Sequence, residues 1–236
     1  MEKIIKHPVI GVITIRKKVG NRNIRITVHP VKGVNVSIPW FTRFSSAERF
    51  IYEREDWIIS SIRKQQLKSE KKTIPLGEGH TITTIKREIR FFEVDGAVKI
   101  RVAISPGVGK IEYPPKSSRE ELALAVLKIL KHDAKEYLPE RTGELATKFG
   151  FKFNRVSLKS NKTNWGSCSK LGNINLNIHL MRLPVYIADF VILHELCHLK
   201  HHNHGAEFHK LLNNLCEGKE KLYSKELRTY RTTIGY

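Results

Sequence analysis

Val191–Leu212 reads VILHELCHLKHHNHGAEFHKLL. It puts His194, Glu195 and His198 in an H-E-x-x-H spacing, entered through the apolar run 190–193, with His204 six residues beyond His198. On a helix, residues four apart project from one face about one turn apart, so the imidazoles of His194 and His198 can share one Zn2+. Glu195 lies one residue on, where its carboxylate can reach water at the metal without binding the metal itself. A catalytic zinc needs a third protein ligand and an open position. His201 and His202 follow too closely. A ligand seven residues after His194 on a continuing helix would lie roughly 10 Å along the axis, so the chain must turn first. His204 is the third ligand this spacing favours, at the offset found in H-E-x-x-H-x-x-G-x-x-H enzymes. His209 and Glu207 are the alternatives. His201 stands where that pattern has Gly, so the turn is expected to need a positive φ at His201, His202 or Asn203. The two methionines, Met1 and Met181, both precede the motif, which argues against a Met-turn enzyme.

Composition sets the frame around this segment. The 236 residues suffice for one large domain or two small ones, and 40% hydrophobic residues supply a buried core. No apolar run approaches a bilayer span. The N-terminus, MEKIIKHPVIGVITIRKK, is too broken by charge, Pro8 and Gly11 for a signal peptide. A cytoplasmic protein with no membrane partner is expected. Cys168, Cys197 and Cys216 are odd in number and far apart, unlike a disulfide framework. Cys197 points off the histidine face and no Cys-x-x-Cys exists, so a closed structural zinc site is disfavoured. The net charge of +19 admits contact with DNA or RNA, acidic membrane surfaces or acidic proteins, but the basic residues are spread without a dense arginine block.

The pattern predicts an α+β protein. Residues 9–40 read as strands, with a hairpin turn over His29–Gly33 and Pro39 as a stop. Ser45 with Glu48 suggests a capping box, opening a helix to about Leu67 whose stripe of Phe50, Ile51, Trp57, Ile58 and Ile62 reads as core. Lys68–Lys72 reads as a charged link. Thr81–Ile85, Ile89–Val94 and Val98–Ile104 follow as strands, with Asp95-Gly96 as a hairpin signal, and Pro106-Gly107 and Pro114-Pro115 as loops. No convincing internal repeat is visible, although the two strand-rich stretches before Pro115 have similar character. Beyond Pro115, Ser117 with Glu120 or Ser118 with Glu121 caps a long helix that Pro139 should kink or divide and Gly150 should end. Val156–Leu158 and Ile174–Ile178 read as strands, Trp165–Ser169 as turn-rich. Pro184 fits the first turn of the helix carrying His194, a further helix follows Gly205, and the basic tail adds one more. The expected organisation is a β-rich N-terminal region with one helix, 1–115, and a zincin-like helical part with a small sheet, 116–236.

Several motifs together carry a family likeness. Trp165-Gly166-Ser167-Cys168-Ser169, Asn175-Leu176-Asn177, Leu180 and Pro184, His194-Glu195-Leu196-Cys197-His198, Asn203-His204 and Phe208 resemble the YgjP-like metallopeptidases, which are related to the SprT-like and WLM zinc proteases. The N-terminal hairpin and Trp57 extend the resemblance over most of the chain. It implies zinc at His194, His198 and His204 and a catalytic acid/base role for Glu195. Gly205 after His204 departs from the Ser common in YgjP-like members and is closer to SprT-like proteins, and the strands of 74–113 are longer than the family suggests.

A substrate edge can also be read. Trp165, Gly166 and Ser167 lead toward the strand Asn173–Ile178, and with Asn175 and Asn177 they form a lining on which an extended peptide would pair by β-augmentation. Cys168 has no His/Asp partner set and is a poor nucleophile. The functional expectation is zinc-dependent hydrolysis of peptide bonds in a protein or peptide substrate. The competing expectation is a basic nucleic-acid-associated binding protein with a structural or degenerate zinc site, or a protease recruited to DNA.

Overall fold

Alternating apolar residues build three small sheets in the computed structural model, which describes residues 1–29, 33–70 and 74–234, with the side chains of 66–70 left aside. The chain divides into two compact units, Met1–Thr73 and Ile74–Tyr236.

The first unit holds β1 (Glu2–His7), β2 (Gly11–Lys18), β3 (Arg25–His29) and β4 (Gly33–Pro39) in the order β1-β2-β4-β3. The outer pairs are antiparallel and β2 runs parallel to β4. Ile13 and Ile15 of β2, and Val34, Val36 and Ile38 of β4, point to one side and are buried. Each contributes on the order of 2 kcal/mol by leaving water. Two helices cover them, α1 (Phe44–Glu53) and α2 (Glu55–Glu70), through Ala47, Ile51 and Ile58. These are two helices where one was expected, because Arg54 leaves helical geometry at ψ 16°. The expected capping box does not form: α1 starts one residue before Ser45, and the Glu48 carboxylate instead pairs with Lys3 at 2.6 Å. Trp57, expected in the core, is 53% exposed. The expected turn His29–Gly33 contains residues 30–32, which lie outside the described residues, though His29 and Gly33 do pair across it. The expected link Lys68–Lys72 is still helical through Glu70, and residues 71–72 again lie outside the described residues.

The second unit opens with the same topology. Its strands β5 (Thr81–Thr83), β6 (Arg87–Glu93), β7 (Arg101–Ser105) and β8 (Gly107–Tyr113) run β5-β6-β8-β7, again antiparallel, parallel, antiparallel, and again followed by a helix. The repeat is therefore architectural where the sequence shows only similar character. Asp95-Gly96 is a turn but not a hairpin, since β6 pairs with β8 and not with β7. β8 itself begins inside the stretch expected as a loop.

α3 (Arg119–Phe149) is one helix with Pro139 inside it, neither divided nor ended there. Ser118 and Glu121 form the capping box, and Gly150 ends the helix at φ 70°, where a side chain would be strained. Its buried face shares one core with Ile82, Ile89, Phe91 and Ile111 of the preceding sheet. Arg87 of β6 donates to both Asp133 oxygens at 2.7 and 2.6 Å, a buried bidentate pair that ties sheet to helix. The break expected at Pro114-Pro115 thus falls within the second unit, because the sheet before it and the helix after it bury their apolar faces together.

The third sheet comprises β9 (Arg155–Lys159), β10 (Gly166–Cys168) and β11 (Asn173–Asn177), in the order β10-β11-β9. Then come a 3-10 turn (Ile178–Arg182), α4 (Val185–Cys197), α5 (Ala206–Leu215) and α6 (Glu220–Leu227). α4 is apolar nearly all round and buried nearly all round. Arg141 of α3 holds Asp189 of α4 by two bonds of 2.8 and 2.7 Å, which fixes the helix that carries the motif. The α+β class holds, with a sheet-rich N-terminal part and a helical C-terminal part. Among the described residues no helix is long and apolar enough to cross a membrane.

Candidate metal centre

α4 ends at the motif. Its apolar run keeps it buried up to Leu193, and its last turn surfaces in a cleft of about 500 Å³. His198 is the cap residue, still in helical geometry, and Lys200 and His201 fold their N–H groups back onto the Cys197 carbonyl at 3.0 and 2.9 Å. The turn to His204 then completes without a left-handed residue. Among the described residues the non-glycine position with positive φ is Glu217, so none of His201, His202 and Asn203 adopts the conformation expected of them. The helix tightens its final turn in place of using an αL residue.

His194, His198 and His204 converge. One nitrogen from each lies within 4.8 Å of the others, and the Nε2 atoms of His194 and His204 are 3.0 Å apart. Two nitrogens bound to one tetrahedral zinc at ~2.0–2.1 Å would lie about 3.3 Å apart, so this spacing fits such an ion. His198 Nδ1 is 3.1 Å from the carbonyl oxygen of His201, which can only accept. The proton is therefore on Nδ1, and Nε2 keeps a lone pair for a metal. Burial, then the neighbouring His198, His204 and His209, hold His194 down to about 4, so its imidazole is neutral at neutral pH. Burial lowers His198 in the same direction.

The floor of the cluster is Phe208, fully buried at the start of α5. Its ring centroid lies 4.9, 4.7 and 4.7 Å from those of His194, His198 and His204. His209, an alternative third ligand, turns away and pairs with Glu220 at 2.6 Å. Neither it nor Glu207 belongs to the converging group.

Glu195 is 5% exposed, and burial raises its carboxyl to about 8. It rests against Gly166. A Cβ built on Gly166 would fall 2.6 Å from Glu195 Oε1, 2.7 Å from Cγ and 2.9 Å from Cδ. A glycine inside a strand marks a close approach, and this one admits the carboxylate. The sequence carried that signal in Trp165-Gly166-Ser167, but it pointed to substrate and not to Glu195. Phe208 gave no signal beyond its apolar periodicity.

The expected substrate lining divides. Gly166 and Ser167 border the cleft, with Cys168, Lys170, His202 and Asn203 beside them. Trp165 packs on the core. Asn175 donates to Ser167 Oγ at 3.1 Å. Asn177 is buried, and its amide donates to the carbonyls of Asn161 and Asn164 while its oxygen accepts from the His179 N–H. The strand expected to pair with peptide, β11, lies between β10 and β9 and has no free edge. The free edge beside the cleft belongs to β10, in the stretch expected as a turn. Cys168 sits there with its thiol pushed up by burial and by Glu195, which suits neither nucleophile nor ligand.

No curated protein matches the chain. Two solved structures share part of it: the zymogen of abylysin, a metallopeptidase of Pyrococcus abyssi, at 21% identity and TM-score 0.35 over 38% of this chain and 90% of that one, and the zymogen of jannalysin, a metallopeptidase of Methanocaldococcus jannaschii, at 24% identity and TM-score 0.31 over 37% and 94%. The profile of the YgjP-like metallopeptidase domain matches residues 22–230, and the chain belongs to that family.

Proposed function

We propose that the chain is a zinc-dependent peptidase of the H-E-x-x-H type, with His194, His198 and His204 holding the zinc and Glu195 as general base. The observation that carries the reading is the convergence of three imidazole nitrogens beside a buried carboxyl that no hydrogen-bond donor among the described residues reaches. Zinc held by these residues supplies a Lewis acid for the scissile carbonyl and lowers the pKa of water in the site. The rest is the work of the chain. Burial holds the Glu195 carboxyl at about 8, and a cation held by the three histidines would favour its ionised form. From there the carboxylate takes a proton from the attacking water and returns it to the leaving amine, a task suited to a group that titrates near the working pH. The uncovered edge of β10, Gly166–Cys168, supports an extended peptide pairing through backbone groups, with Ser167 beside it. Three free thiols, Cys168, Cys197 and Cys216, support a cytoplasmic setting.

The test pairs metal content with hydrolysis. Glu195→Gln should keep stoichiometric zinc and lose cleavage of an unfolded protein substrate. Alanine at His194, His198 or His204 should lose both, and His209→Ala neither. Cleavage that survives in Glu195→Gln, or zinc that stays after alanine replaces His204, would refute the assignment.

A further inference from the structure

The N-terminal unit carries a feature that peptide hydrolysis does not use. Met1–Thr73 holds 16 of the chain's 42 lysines and arginines but only six of its 23 acids, so ten of the 19 net positive charges lie in this smaller unit. The topology gathers many of them at one end of its sheet. β2 and β4 run parallel and finish together, with Lys18 opposite Pro39, while β3 starts at that same end, with Arg25 opposite Ser37. The segments leaving this end are Val19–Ile24 and Trp40–Arg43. They bring exposed Lys18, Arg22, Arg25 and Arg43 around Trp40 and Phe41, which are 64% and 70% exposed. No carboxylate among the described residues pairs with any of those four cations; the nearby Glu2 is taken by Arg16 at 2.7 Å.

The sheet face turned away from α1 and α2 continues from that end. Alternation places Thr14 and Arg16 of β2, Asn35 and Ser37 of β4, and Arg25 and Thr27 of β3 on it. The register lines them into two rows across the three strands, Arg16–Ser37–Arg25 and Thr14–Asn35–Thr27. Flat exposed rings beside unpaired cations are what stacked bases and their phosphates require. A lipid surface would also attract an aromatic, cationic tip, but it would leave this polar face without a role. A strand of nucleotides uses both. We propose that this end of the N-terminal sheet binds single-stranded nucleic acid, with Trp40 and Phe41 stacking on bases and Lys18, Arg22, Arg25 and Arg43 meeting phosphates.

The experiment uses the full chain carrying Glu195→Gln, so that the outcome does not depend on the peptidase reading. Anisotropy of a labelled oligothymidylate of about 20 nucleotides is followed between low and moderate salt. Four phosphate contacts predict a log–log salt slope of about −2.8, and Lys18→Ala with Arg22→Ala should flatten it by about 1.4. Trp40→Ala should weaken binding roughly fivefold or more at constant salt, and Trp40→Phe should restore most of it. Lys128→Ala with Lys131→Ala, an equal charge loss in the other unit, should leave the slope unchanged. The proposal fails if the oligonucleotide does not bind, if the control pair weakens binding as much as the Lys18 and Arg22 pair, or if Trp40→Ala binds like its parent. It fails equally if vesicles containing phosphatidylglycerol capture the protein while the oligonucleotide does not.

Discussion

Replacing Gly166 by alanine should cripple catalysis while leaving the metal in place. The new methyl carbon would lie 2.6 Å from Glu195 Oε1, and an ordinary contact needs about 3.4 Å, so one side must yield by about 0.8 Å. β10 is poorly placed to yield. Three residues pair it with β11, Asn177 donates its N–H to the Trp165 carbonyl at 2.8 Å, and Ser169 donates to the Asn173 carbonyl at 2.9 Å. The Glu195 side chain rotates more easily than a strand bonded at both ends moves. A misplacement near 1 Å costs about 100-fold in rate, so kcat/KM should fall by roughly two orders of magnitude. Overpacking of this kind costs about 1–3 kcal/mol, a loss of a few degrees in Tm. The three atoms nearest the new methyl all belong to Glu195 and none to a histidine, so zinc content should match the parent. The assay combines steady-state cleavage of a quenched peptide, metal analysis and thermal melting on one preparation. Parental kcat/KM in Gly166→Ala would refute the view that this glycine seats the general base. So would a loss of activity that merely tracks a loss of zinc.

Four further outcomes follow from the same geometry. Zinc loading of metal-free protein at pH 7 should release protons, in part from Glu195, because a cation favours ionisation of a carboxyl that burial holds near 8 while His194 is already neutral; calorimetry in buffers of different ionisation enthalpy reads this, and Glu195→Gln should release measurably fewer. By the same shift, Glu195 is protonated in the folded metal-free protein but ionised in the unfolded chain between pH 4.5 and about 8, so metal-free stability should fall as pH rises through that window, as denaturant titrations at several pH values would show. Arg182→Ala should cost about 2–4 kcal/mol and expose the C-terminal segment to proteolysis, because the half-buried Arg182 donates to His179 Nδ1 at 3.0 Å and to the Arg231 carbonyl at 2.7 Å. Phe208→Ala should cost about 3–5 kcal/mol and weaken zinc at least tenfold, measured by chelator competition, since it removes the surface on which all three imidazoles rest.

The parts legible in the sequence were those that local spacing determines. His194, His198 and His204 could be grouped from helix geometry and one obligatory turn, and one nitrogen from each lies within 4.8 Å of the others. Ser118 with Glu121, and Gly150, marked the ends of α3 because caps are local chemistry. What failed was pairing at a distance. Asp95-Gly96 looked like a hairpin because a turn signal says nothing about which strand the next one joins, and β8 takes the place beside β6. Asn175 and Asn177 looked like a peptide-binding edge because alternation gives a strand's faces but not its neighbours. Ser45 and Glu48 failed as a capping box for a similar reason, since Lys3, far away in sequence, offers the carboxylate a charged partner. Trp57 fell outside the core because it stands at the edge of its stripe, one residue and about 100° around the helix from the buried Ile58.

The buried polar residues around the cleft form one connected support, and its direction explains why a three-residue strand can be positioned at all. Arg182 grips the carbonyl of Arg231 and leaves its Nε–H for His179, which burial holds near 3 and therefore keeps neutral and accepting. The His179 N–H donates to Asn177, whose amide in turn donates to the carbonyls of Asn161 and Asn164. Thr232, from the same C-terminal segment, donates to the Lys162 carbonyl at 2.6 Å. The loop feeding β10 is thus held from both sides, by a side chain of the central strand and by the end of the chain. Backbone carbonyls of an exposed loop would otherwise bond to water and let the strand drift. Because His179 must stay neutral to accept from Arg182, acid should loosen this support: below about pH 6.5 the unfolded chain protonates that histidine and the folded one does not, so stability declines as pH falls from there toward 3. The edge that faces the histidine cluster is then as rigid as a buried asparagine and a half-buried arginine make it, and Asn177→Ala should disturb Gly166 and Glu195 without touching either.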